Sequence, residues 1–329
     1  MAFAFSENSR MKIREIASVM KTSPQRVKYW MNSIESESVV RNPFCVFDYS
    51  YFGSILFRVY FKGAYVGEKD KELLMKTLME NSSVVSVYEF SGEFDLVVEM
   101  LCPNASRFNK VLKSLSNSLP SLRHHKIVLN MVTHMYPRFY LTDKDMLKLH
   151  MPQEIVIGGD RGVESFTKSE LAVMSALLEN PRLRLSSLAE KSGMNVKTAK
   201  SVVKNLSERK IIRGFKHVID IDKLGVSRFR LFLKMHGVSQ ERDDQILDYL
   251  LKHPNIVQMH RTVGDWDMEI DIESLDKTSA RKLVADLREK FSDVIENFSI
   301  AEFYHYYKRS YLPKYIFTEA GIGALASGK

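Results

Sequence analysis

The sequence predicts an α+β protein in which one unit, a three-helix segment followed by a βαββαβ segment, occurs twice along the chain. The first observation is a repeated motif: "GEFDLVVEM" from Gly92 recurs as "GDWDMEIDI" from Gly264, 172 residues later. The second is that the same offset aligns distant residues, such as Val39 with Ile211. The third is a change within each copy from helical to strand periodicity. An offset of 172 residues is far too long for a solenoid repeat, so each copy is a whole unit.

The duplication covers nearly the whole chain of 329 residues. No gap is needed between residues 7 and 100, and "RFYL" from Arg138 matches "RSYL" from Arg309 after a slip of one residue. We therefore divide the chain into six parts. They are a first, truncated helical head (1–52), a first sheet module (53–141), a linker (142–166), a second helical head (167–225), a second sheet module (226–313) and a tail (314–329).

The composition, with 45% hydrophobic and 27% charged residues, is typical of a soluble globular protein. No run approaches the ~18 apolar residues of a membrane span, and the residues after Met1 lack the pattern of a secretion signal. We therefore expect a cytoplasmic protein. Cys45 and Cys102 align with His217 and Ser274, so they form no repeated disulfide framework, and we expect both thiols to be buried and reduced.

The charge of the second copy is divided between its two parts. Residues 167–217 include 11 Lys or Arg and 4 Asp or Glu, whereas residues 238–294 include 8 and 13. This asymmetry is typical of a polyanion-binding module joined to a module with another task, although two solvated surfaces of opposite sign give the same counts.

Three helices are predicted in the second helical head. Apolar residues recur at helical spacing over 169–180, where Pro181 follows, and again over 185–191 before a turn at Gly193. Asn195 is a good N-cap for the third helix. The inward positions of that helix are Val196, Ala199, Val203 and Leu206.

The outward face of this third helix is polar and cationic, which suits contacts with phosphates and with base edges in a major groove. Two short helices joined by a tight turn, the second with such a face, predict a helix-turn-helix. The segment "IIRGFKHVIDI", residues 211–221, has two β-rich runs around Gly214 and predicts a wing that touches the DNA backbone. The predicted DNA contacts of this head are Asn195, Lys197, Thr198, Lys200, Ser201, Lys204, Asn205, Arg213 and Lys216.

The first helical head repeats this design with fewer cations, since residues 1–42 include 7 basic and 4 acidic residues. Its first helix is predicted to be shorter, because Met1 aligns with Val173. Ser23 as N-cap and Pro24 at the first position begin the third helix, with Val27, Met31 and Ile34 facing inward. We expect this head either to bind DNA more weakly or only to brace the other. Its predicted DNA contacts are Ser23, Gln25, Arg26, Lys28, Tyr29 and Asn32.

The second sheet module alternates strands and helices in the order βαββαβ. Strands are predicted at 229–236, 256–263, 266–272 and 298–307, and helices at 241–251 and 278–291. This is the order of a ferredoxin-like module, in which both helices cover one face of an antiparallel sheet. The other face, with Arg230, Lys234, Asp267 and Glu269, is predicted to be uncovered. We expect it to pack against the second copy in the same chain or against another chain.

The repeated motif lies at a turn between two strands, where Gly92 and Gly264 allow a positive φ or close backbone approach. Apolar and acidic residues alternate after each glycine, so we expect the apolar set under the helices. That set is Phe94, Leu96, Val98 and Met100 in the first copy and Trp266, Met268, Ile270 and Ile272 in the second. The motif is either a hairpin with a buried aromatic residue or part of a site for a small polar effector. The effector-binding residues would be Thr262, Gly264, Asp265 and Asp267 in the second copy and Gly92, Glu93 and Asp95 in the first.

A winged helix-turn-helix followed by a βαββαβ module with a G-x-[aromatic]-D turn resembles the Lrp/AsnC family, the feast/famine regulators. The residues that carry the resemblance are "NVKTAKSVVKNLSERKIIRGF" from Asn195, "DKLG" ending at Gly225 and "TVGDWDMEI" from Thr262. The first half offers "SPQRVKYWMNSIESESVVRNP" and "SGEFDLVVEM". The resemblance implies binding of double-stranded DNA, a response to an amino acid or similar metabolite at these turns, and pairing through the sheet modules. The chain thus resembles a fused pair, acting as an internal pseudo-dimer or as a homo-oligomer.

Two other functions fit the same fold. Tetrapyrrole decarboxylases, including siroheme decarboxylases, resemble this family and would place His, Arg and Tyr around a large pocket. The candidate histidines are His124, His125, His134, His260 and His305, and none is matched by a histidine at an offset of 172. Because no metal-ligand spacing or nucleophile motif appears, we expect no metal, no cofactor and no enzymatic activity. The other alternative is an architectural protein that packs DNA with little sequence preference.

Overall fold

The computed structural model describes residues 1–142, 149 and 152–317. The helices are α1 (Ala2–Glu7), α2 (Ile13–Val19), α3 (Pro24–Ser36), α4 (Glu68–Glu80), α5 (Ala105–Ser118), α6 (Lys168–Glu179), α7 (Leu185–Lys191), α8 (Val196–Glu208), α9 (Gln240–Lys252) and α10 (Lys277–Lys290). The strands are β1 (Val40–Phe47), β2 (Ile55–Phe61), β3 (Val84–Ser91), β4 (Leu96–Cys102), β5 (His125–Met135), β6 (Ile155–Gly158), β7 (Ile212–Ile219), β8 (Ser227–Met235), β9 (Ile256–Val263), β10 (Met268–Ser274) and β11 (Ile295–Arg309). The order of elements confirms two helical heads, each followed by a ferredoxin-like module.

The helices of the two heads begin at the residues that the sequence indicates. The Asn195 side chain accepts a hydrogen bond from the Thr198 N–H at 2.8 Å, and Ser23 accepts one from the Arg26 N–H at 3.2 Å. These side chains satisfy amide groups that have no partner within the helix. Helix α6 begins with a reciprocal capping box between Thr167 and Glu170. Local sequence therefore determines where both candidate recognition helices, α3 and α8, begin.

The sheet modules join edge to edge into a barrel. Within the described residues, one sheet has the strand order β2-β4-β3-β11-β8-β10-β9-β5-β6, and a further pairing of β2 with β5 closes its first eight strands into a ring. The first half contributes β5-β2-β4-β3 and the second contributes β11-β8-β10-β9. The two seams are the antiparallel pairs β3–β11 and β5–β9. Pairing between the two copies of one chain is thus what the structure shows.

Helices cover one face of each half-sheet, as the sequence predicts, and this face is the outside of the barrel. Helices α4 and α5 pack on Leu96, Val98 and Met100, and α9 and α10 pack on Met268, Ile270 and Ile272. The prediction is wrong for Phe94 and Trp266. These two rings, 6.1 Å apart, lie with Tyr60 and Phe232 in a different cluster, inside the barrel. Both precede their strands, so strand alternation does not determine where their side chains point.

The two heads are held together by the segments that follow them. Strand β7 is a single strand, paired antiparallel with β1 of the other half, so the predicted wing of two short runs is wrong. Helices α6, α7 and α8 share one core with Phe44–Phe47 of β1. Helices α1, α2 and α3 share another core with Ile219 and Ile221. Each head is thus completed by residues of the other half.

Two ion pairs at matching positions of the repeat link the two halves at β1 and β7. Arg213 of the second half binds Asp48 of the first at 2.8 Å, and Arg41 of the first lies 3.7 Å from Asp220 of the second. Asp48 is fully buried and also accepts the Gly158 N–H at 3.0 Å. The matched Arg41 and Arg213 of the sequence repeat are therefore inter-half contacts.

The described residues include parts of the predicted linker and of the predicted tail. Strand β6 lies inside the linker and pairs with the end of β5. Gly158 has a φ of +88°, and a Cβ there would lie 2.5 Å from the Met131 carbonyl oxygen, so the position requires glycine. In the tail, Ile316 is buried. The rest of the predicted linker and tail, at 143–148, 150, 151 and 318–329, lies outside the described residues.

Both cysteines are free and buried, as predicted. Among the described residues, no helix has the length and hydrophobicity needed to cross a membrane.

Replacing Asp48 by Ala tests the link between the halves. The change leaves Arg213, Arg161 and the Gly158 N–H without their buried anion, so we expect the free energy of unfolding to fall by about 3–5 kcal/mol. Asp220→Ala is the matched control, because its ion pair is longer and partly exposed. We expect that change to cost about 1 kcal/mol or less. Urea denaturation measures both, and equal losses would contradict the assignment.

Candidate nucleic-acid interface and barrel interior

Helix α8 presents its polar face to solvent. Ala199 and Leu206 are buried against α6 and α7, whereas Lys197, Lys200 and Lys204 are exposed. All seven residues predicted on this helix and its N-cap are exposed, namely Asn195, Lys197, Thr198, Lys200, Ser201, Lys204 and Asn205. Asn195 and Thr198 also form the N-cap. The cation nearest to a carboxylate is Lys204, 3.5 Å from Glu208, and both side chains are largely exposed. The face is therefore free to contact a polyanion.

Helix α3 presents a similar but less basic face. Its predicted contacts are exposed, namely Ser23, Gln25, Arg26, Lys28, Tyr29 and Asn32. The Tyr29 side chain is 71% exposed, which is high for an aromatic residue. The Arg26 guanidinium lies 5.2 Å from the Trp30 ring centroid. Two cations face outward here, where α8 has three.

The two heads contact each other directly. Arg182 of the second head binds Glu35 of α3 at 2.5 Å. Arg10 of the first head donates to the Pro181 carbonyl oxygen at 3.0 Å. Arg10 and Arg182 occupy matching positions of the repeat. These contacts, together with the β1–β7 pair, limit the freedom of α3 and α8 to move relative to each other.

Two of the predicted DNA contacts are wrong. Arg213 is paired with the buried Asp48. Lys216 is 4% exposed and pairs with Glu7. Burial lowers the pKa of Lys216, against the effect of the Glu7 carboxylate. Strand β7 pairs with β1 of the other half and does not form a free wing. Neither side chain is therefore available to a phosphate.

The two G-x-[aromatic]-D turns lie side by side. The Lys126 ammonium of β5 lies 3.2 Å from both Glu93 and Asp265. Gly92 and Gly264 have φ values of +117° and +148°, and a Cβ on Gly264 would lie 3.0 Å from a backbone oxygen of β5. The repeat thus brings both turns to one end of the barrel.

Three of the residues predicted to bind an effector maintain the turns instead. Asp267 accepts the Met235 N–H at 2.8 Å, and Asp95 accepts the Gly63 N–H. Thr262 is buried and donates to the Trp266 carbonyl oxygen at 2.9 Å. Glu93 and Asp265 remain about half exposed, at 52% and 47%. An effector role at this surface remains a prediction, and it would depend on these last two carboxylates.

Charged side chains of both halves fill the centre of the barrel. Arg58 of the first half contacts Glu99 and Glu269, and Arg230 of the second binds Asp271 through two bonds of 2.6 and 3.0 Å. Burial alone would raise the pKa of Asp271, but the Arg230 and Arg228 guanidinium groups outweigh it and hold that pKa well below its ordinary value. Arg230 and Glu269 lie on the face that the helices of their own module leave free, and this face packs against the other copy in the same chain, one of the two expected arrangements. Lys234 and Asp267, an ion pair of 3.1 Å, remain partly exposed.

His260 faces a small cavity inside the barrel, lined largely by polar side chains. Its Nδ1 lies 2.9 Å from the Thr133 hydroxyl, and its Nε2 has no hydrogen-bond partner among the described residues. Burial, and then the Arg58 charge, lower the pKa of His260 well below its ordinary value. The cavity has a volume of about 30 Å³. It is lined by Tyr49, Leu56, Arg58, Ser86, Glu99, Thr133, Arg230, Gln258, His260, Tyr306, Arg309, Ser310 and Tyr311.

The five candidate histidines lie in different surroundings. His124 is exposed and His125 is partly buried. His134 lies 2.6 Å from Glu154, and His305 lies 3.2 Å from Arg41 beside the β1–β7 ribbon. Among the five, His260 lines the barrel cavity. The structure therefore does not bring them together around one large pocket.

Sequence reasoning missed a longer repeat that includes two of these histidines. With the one-residue slip that aligns "RFYL" with "RSYL", "HMYPRFYL" from His134 matches "HYYKRSYL" from His305. The shared pattern is H-x-Y-x-R-x-Y-L. The absence of a matched histidine holds only at the fixed offset of 172. Continuing the slipped alignment backwards from Arg138 and Arg309 would have found the pattern.

The chain is similar to known transcriptional regulators. A sequence model of the family described as winged helix-turn-helix DNA-binding matches residues 166–213. The HTH-type transcriptional regulator Ptr1 of Methanocaldococcus jannaschii is 30% identical over 122 residues, which cover 35% of this chain and 79% of that protein. The HTH-type transcriptional regulator FL11 of Pyrococcus horikoshii is 26% identical over 102 residues, which cover 31% of this chain and 66% of that protein, just under two thirds of its length.

A protein of known structure resembles nearly the whole chain. The siroheme decarboxylase NirDL superposes with a TM-score of 0.57 at 11% identity, covering 99% of this chain and 97% of that chain. At this identity the likeness is one of fold. It shows that the arrangement of two heads on one joined sheet is found in another protein.

Because His260 is buried, we expect the free energy of unfolding to fall at acidic pH. Because its folded-state pKa lies below the unfolded value of about 6.5, the unfolded chain gains a proton below that pH while the folded chain does not. Stability therefore falls as pH decreases through 6.5, by at most about 1.4 kcal/mol per pH unit for this group. In urea melts at pH 7 and 5, we expect His260→Gln to reduce the loss seen in the wild type. His124→Gln is the control and should keep it; an unchanged loss in His260→Gln would refute the prediction.

Proposed function

The chain belongs to the Lrp/AsnC family of helix-turn-helix transcriptional regulators, and from that premise we propose that it is a sequence-specific DNA-binding regulator carrying two unequal heads. The observation that supports this proposal most strongly is the exposed face of α8. Lys197, Lys200 and Lys204 project from it with the surrounding polar residues. A capped helix with such a face can enter a major groove, with its cations on phosphates and its shorter polar side chains at base edges.

The two heads read different sequences in this proposal. At matching positions, α8 has Lys197, Ser201 and Lys204 where α3 has Gln25, Tyr29 and Asn32. A dimer of identical chains must read two identical half-sites, but a fused pair is free of that constraint. We therefore propose an operator with two unlike half-sites, of which α8 binds the one with the larger electrostatic contribution. Contacts between the heads maintain the spacing of the half-sites.

Replacing Lys197, Lys200 and Lys204 together by Ala tests the role of α8. Each lost phosphate contact removes about 0.9 from the slope of log affinity against log salt concentration. We expect weaker DNA binding at all sequences and a slope smaller by about 2–3, measured by fluorescence anisotropy. The control is Lys69, Lys76 and Lys113 to Ala, three exposed lysines of α4 and α5. An unchanged slope in the α8 variant would count against the proposal.

The architectural alternative predicts a different competition result. A packing protein binds through phosphate contacts, so random DNA competes with any labelled site almost equally. For a regulator, the sites recovered from the genome should compete at least about 10³-fold better than random DNA at the same salt concentration. Equal competition would favour the architectural function.

The regulator function includes a response to a small metabolite. Among the similar solved structures is a complex of the regulator NMB0573 of Neisseria meningitidis with L-Met. By analogy we propose a small carboxylate-bearing effector for this chain, such as an amino acid. The bonds of Asp95, Asp267 and Thr262 within the turns favour a site other than these side chains.

Tetrapyrrole decarboxylation is the second candidate, because of the whole-chain fold likeness to the siroheme decarboxylase NirDL. The barrel cavity argues against it. Its volume of about 30 Å³ is far below the ~300 Å³ at which pockets for drug-sized ligands begin. The centre of the barrel is also filled by the Arg58 and Arg230 ion pairs.

Titration of the protein with an iron uroporphyrin separates the two candidates. We expect no saturable change in the Soret band, because a tetrapyrrole does not fit beside the buried ion pairs. Stoichiometric binding that is lost in His260→Ala would support the decarboxylase instead.

A further inference from the structure

The repeated H-x-Y-x-R-x-Y-L pattern forms a carboxylate site in the first half. Arg138 binds the Glu273 carboxylate through Nε at 2.8 Å and Nη2 at 3.3 Å. The Tyr140 hydroxyl donates to the same carboxylate at 2.7 Å. Glu273 is fully buried, and the guanidinium of Arg138 helps to lower its pKa against the effect of burial. An arginine and a tyrosine two residues apart thus hold one carboxylate inside the protein.

The second copy retains both donors but lacks the carboxylate. Arg309 and Tyr311 occupy the matching positions, with Arg309 Nη2 3.1 Å from the Tyr311 hydroxyl. The residue that matches Glu273 is Leu101, which cannot accept a hydrogen bond. The Tyr311 hydroxyl points instead to the sulfur of Met135 at 3.5 Å.

Glu7, the second carboxylate beside Arg138, also has no equivalent at Arg309. It lies 3.3 Å from Arg138. Its match in the repeat is Glu179, which pairs with Lys191 on the surface. Arg309 therefore keeps a site of the same design without either of the two anions.

Arg309 has no carboxylate within ion-pair distance in the described part of the chain. Its guanidinium lies 5.1 Å from the Phe44 ring centroid and 4.9 Å from that of Tyr306. With the Gln258 amide oriented so that both its atoms are satisfied, its oxygen accepts from Arg309 at 2.5 Å. Ring and amide contacts stabilise a cation but do not neutralise it. The charge of the Arg309 guanidinium therefore still lacks a neutralising anion within the described part of the chain.

The donors of Arg309 and Tyr311 line the barrel cavity of about 30 Å³. A single water needs about 10–15 Å³ of such volume, so the space suits about two waters or a carboxylate group of similar size. Arg58 and Arg230 line the same cavity, and its carboxylate, Glu99, is already bound by Arg58. His260, 3% exposed, adds an Nε2 without a partner among the described residues. Since Arg58 and Arg230 are already paired with Glu99, Glu269 and Asp271, Arg309 is the cavity-lining cation without a carboxylate in the described part of the chain.

We propose that Arg309 and Tyr311 bind the carboxylate of a small metabolite inside the barrel, at the position that Glu273 occupies beside Arg138 and Tyr140. The ligand class is a monocarboxylate with a short side chain. Carboxylate binding stands by itself, whereas its role as the effector rests on the regulator function proposed above.

The site is connected to the DNA-binding heads through one aromatic residue. Phe44 of β1 lies below the Arg309 guanidinium and is stacked on the Tyr311 ring at 5.7 Å. Phe44 also belongs to the core that contains Leu206 of α8. A ligand that draws Arg309 and Tyr311 toward the cavity changes the packing beneath β1, and β1 pairs with β7 between the heads. Binding is thus coupled to the position of α8.

Binding of ¹³C-labelled acetate to the full chain, followed by NMR, tests the proposal. We expect saturable binding to the wild type and no binding of acetamide, its neutral isostere. Arg309→Gln should weaken acetate binding at least tenfold, and Tyr311→Phe, which keeps the ring, about threefold or more. Arg288→Gln is the control, because Arg288 is exposed on α10 and does not line the cavity, and the variant loses the same charge. Equal acetate binding in the wild type and Arg309→Gln, or none in the wild type, would overturn the site.

A second variant tests the same site from inside the protein. Leu101→Glu restores a carboxylate at the position that matches Glu273, so we expect it to occupy Arg309 and abolish acetate binding. Its folding is checked by its thermal unfolding transition. If Leu101→Glu folds and binds acetate like the wild type, the repeat does not define the site and the proposal fails.

A DNA-binding measurement with and without acetate separates the effector role from the site. An acetate-dependent change in operator affinity that disappears in Arg309→Gln supports the effector role. Saturable acetate binding without any change in operator affinity overturns that role and leaves the site intact. Failure of the wild type to bind any DNA overturns the regulator function and does not affect the carboxylate site.

Discussion

Closure of two half-sheets into one barrel is the constraint on which the rest of the structure depends. A sheet with unpaired edges exposes backbone groups to other chains, and closure removes those edges. The charges inside also require both halves. Arg58 of the first half meets Glu269 of the second, and Arg230 of the second donates to Tyr88 of the first at 2.8 Å. A separated half would leave its sheet edges unpaired and would expose interior aromatic side chains such as Tyr60 and Trp266 to water.

Contacts between the two halves also organise the heads. Strands β1 and β7 lead from each head to its barrel half, and they pair with each other on the way. The cations that sequence would assign to a wing are used in this ribbon, where Asp48 and Glu7 neutralise them. DNA recognition is then left to the exposed faces of α8 and α3. Covalent fusion also lets the halves diverge, which is visible both in the unequal heads and in the Glu273–Leu101 difference between the two arginine sites.

The sequence predicts what depends on local pattern. Caps at Ser23 and Asn195 locate α3 and α8, and strand alternation correctly assigns Met268, Ile270 and Ile272 to the helix-covered face. Alternation of apolar and polar residues shows that the two faces of a strand differ, but it does not show whether the polar face is exposed to solvent. Alternation therefore places Arg230 and Glu269 on the face that the helices leave free, but it does not show that this face lies inside a closed barrel. The sequence pattern wrongly predicts DNA contacts for Arg213 and Lys216, because their ion-pair partners lie 165 and 209 residues away along the chain.

The most direct test of the central claim is a cysteine cross-link across the β3–β11 seam. Ser91 and Glu302 are directly opposite each other in this pairing, at a Cα separation of about 4.5–5.5 Å that a disulfide can span. If the two halves of one chain close the barrel, oxidation of the Ser91→Cys/Glu302→Cys variant gives an intramolecular disulfide in a single chain. Disulfide-linked dimers through these two positions, identified by mass spectrometry, would show that the seam forms between chains and would contradict the account.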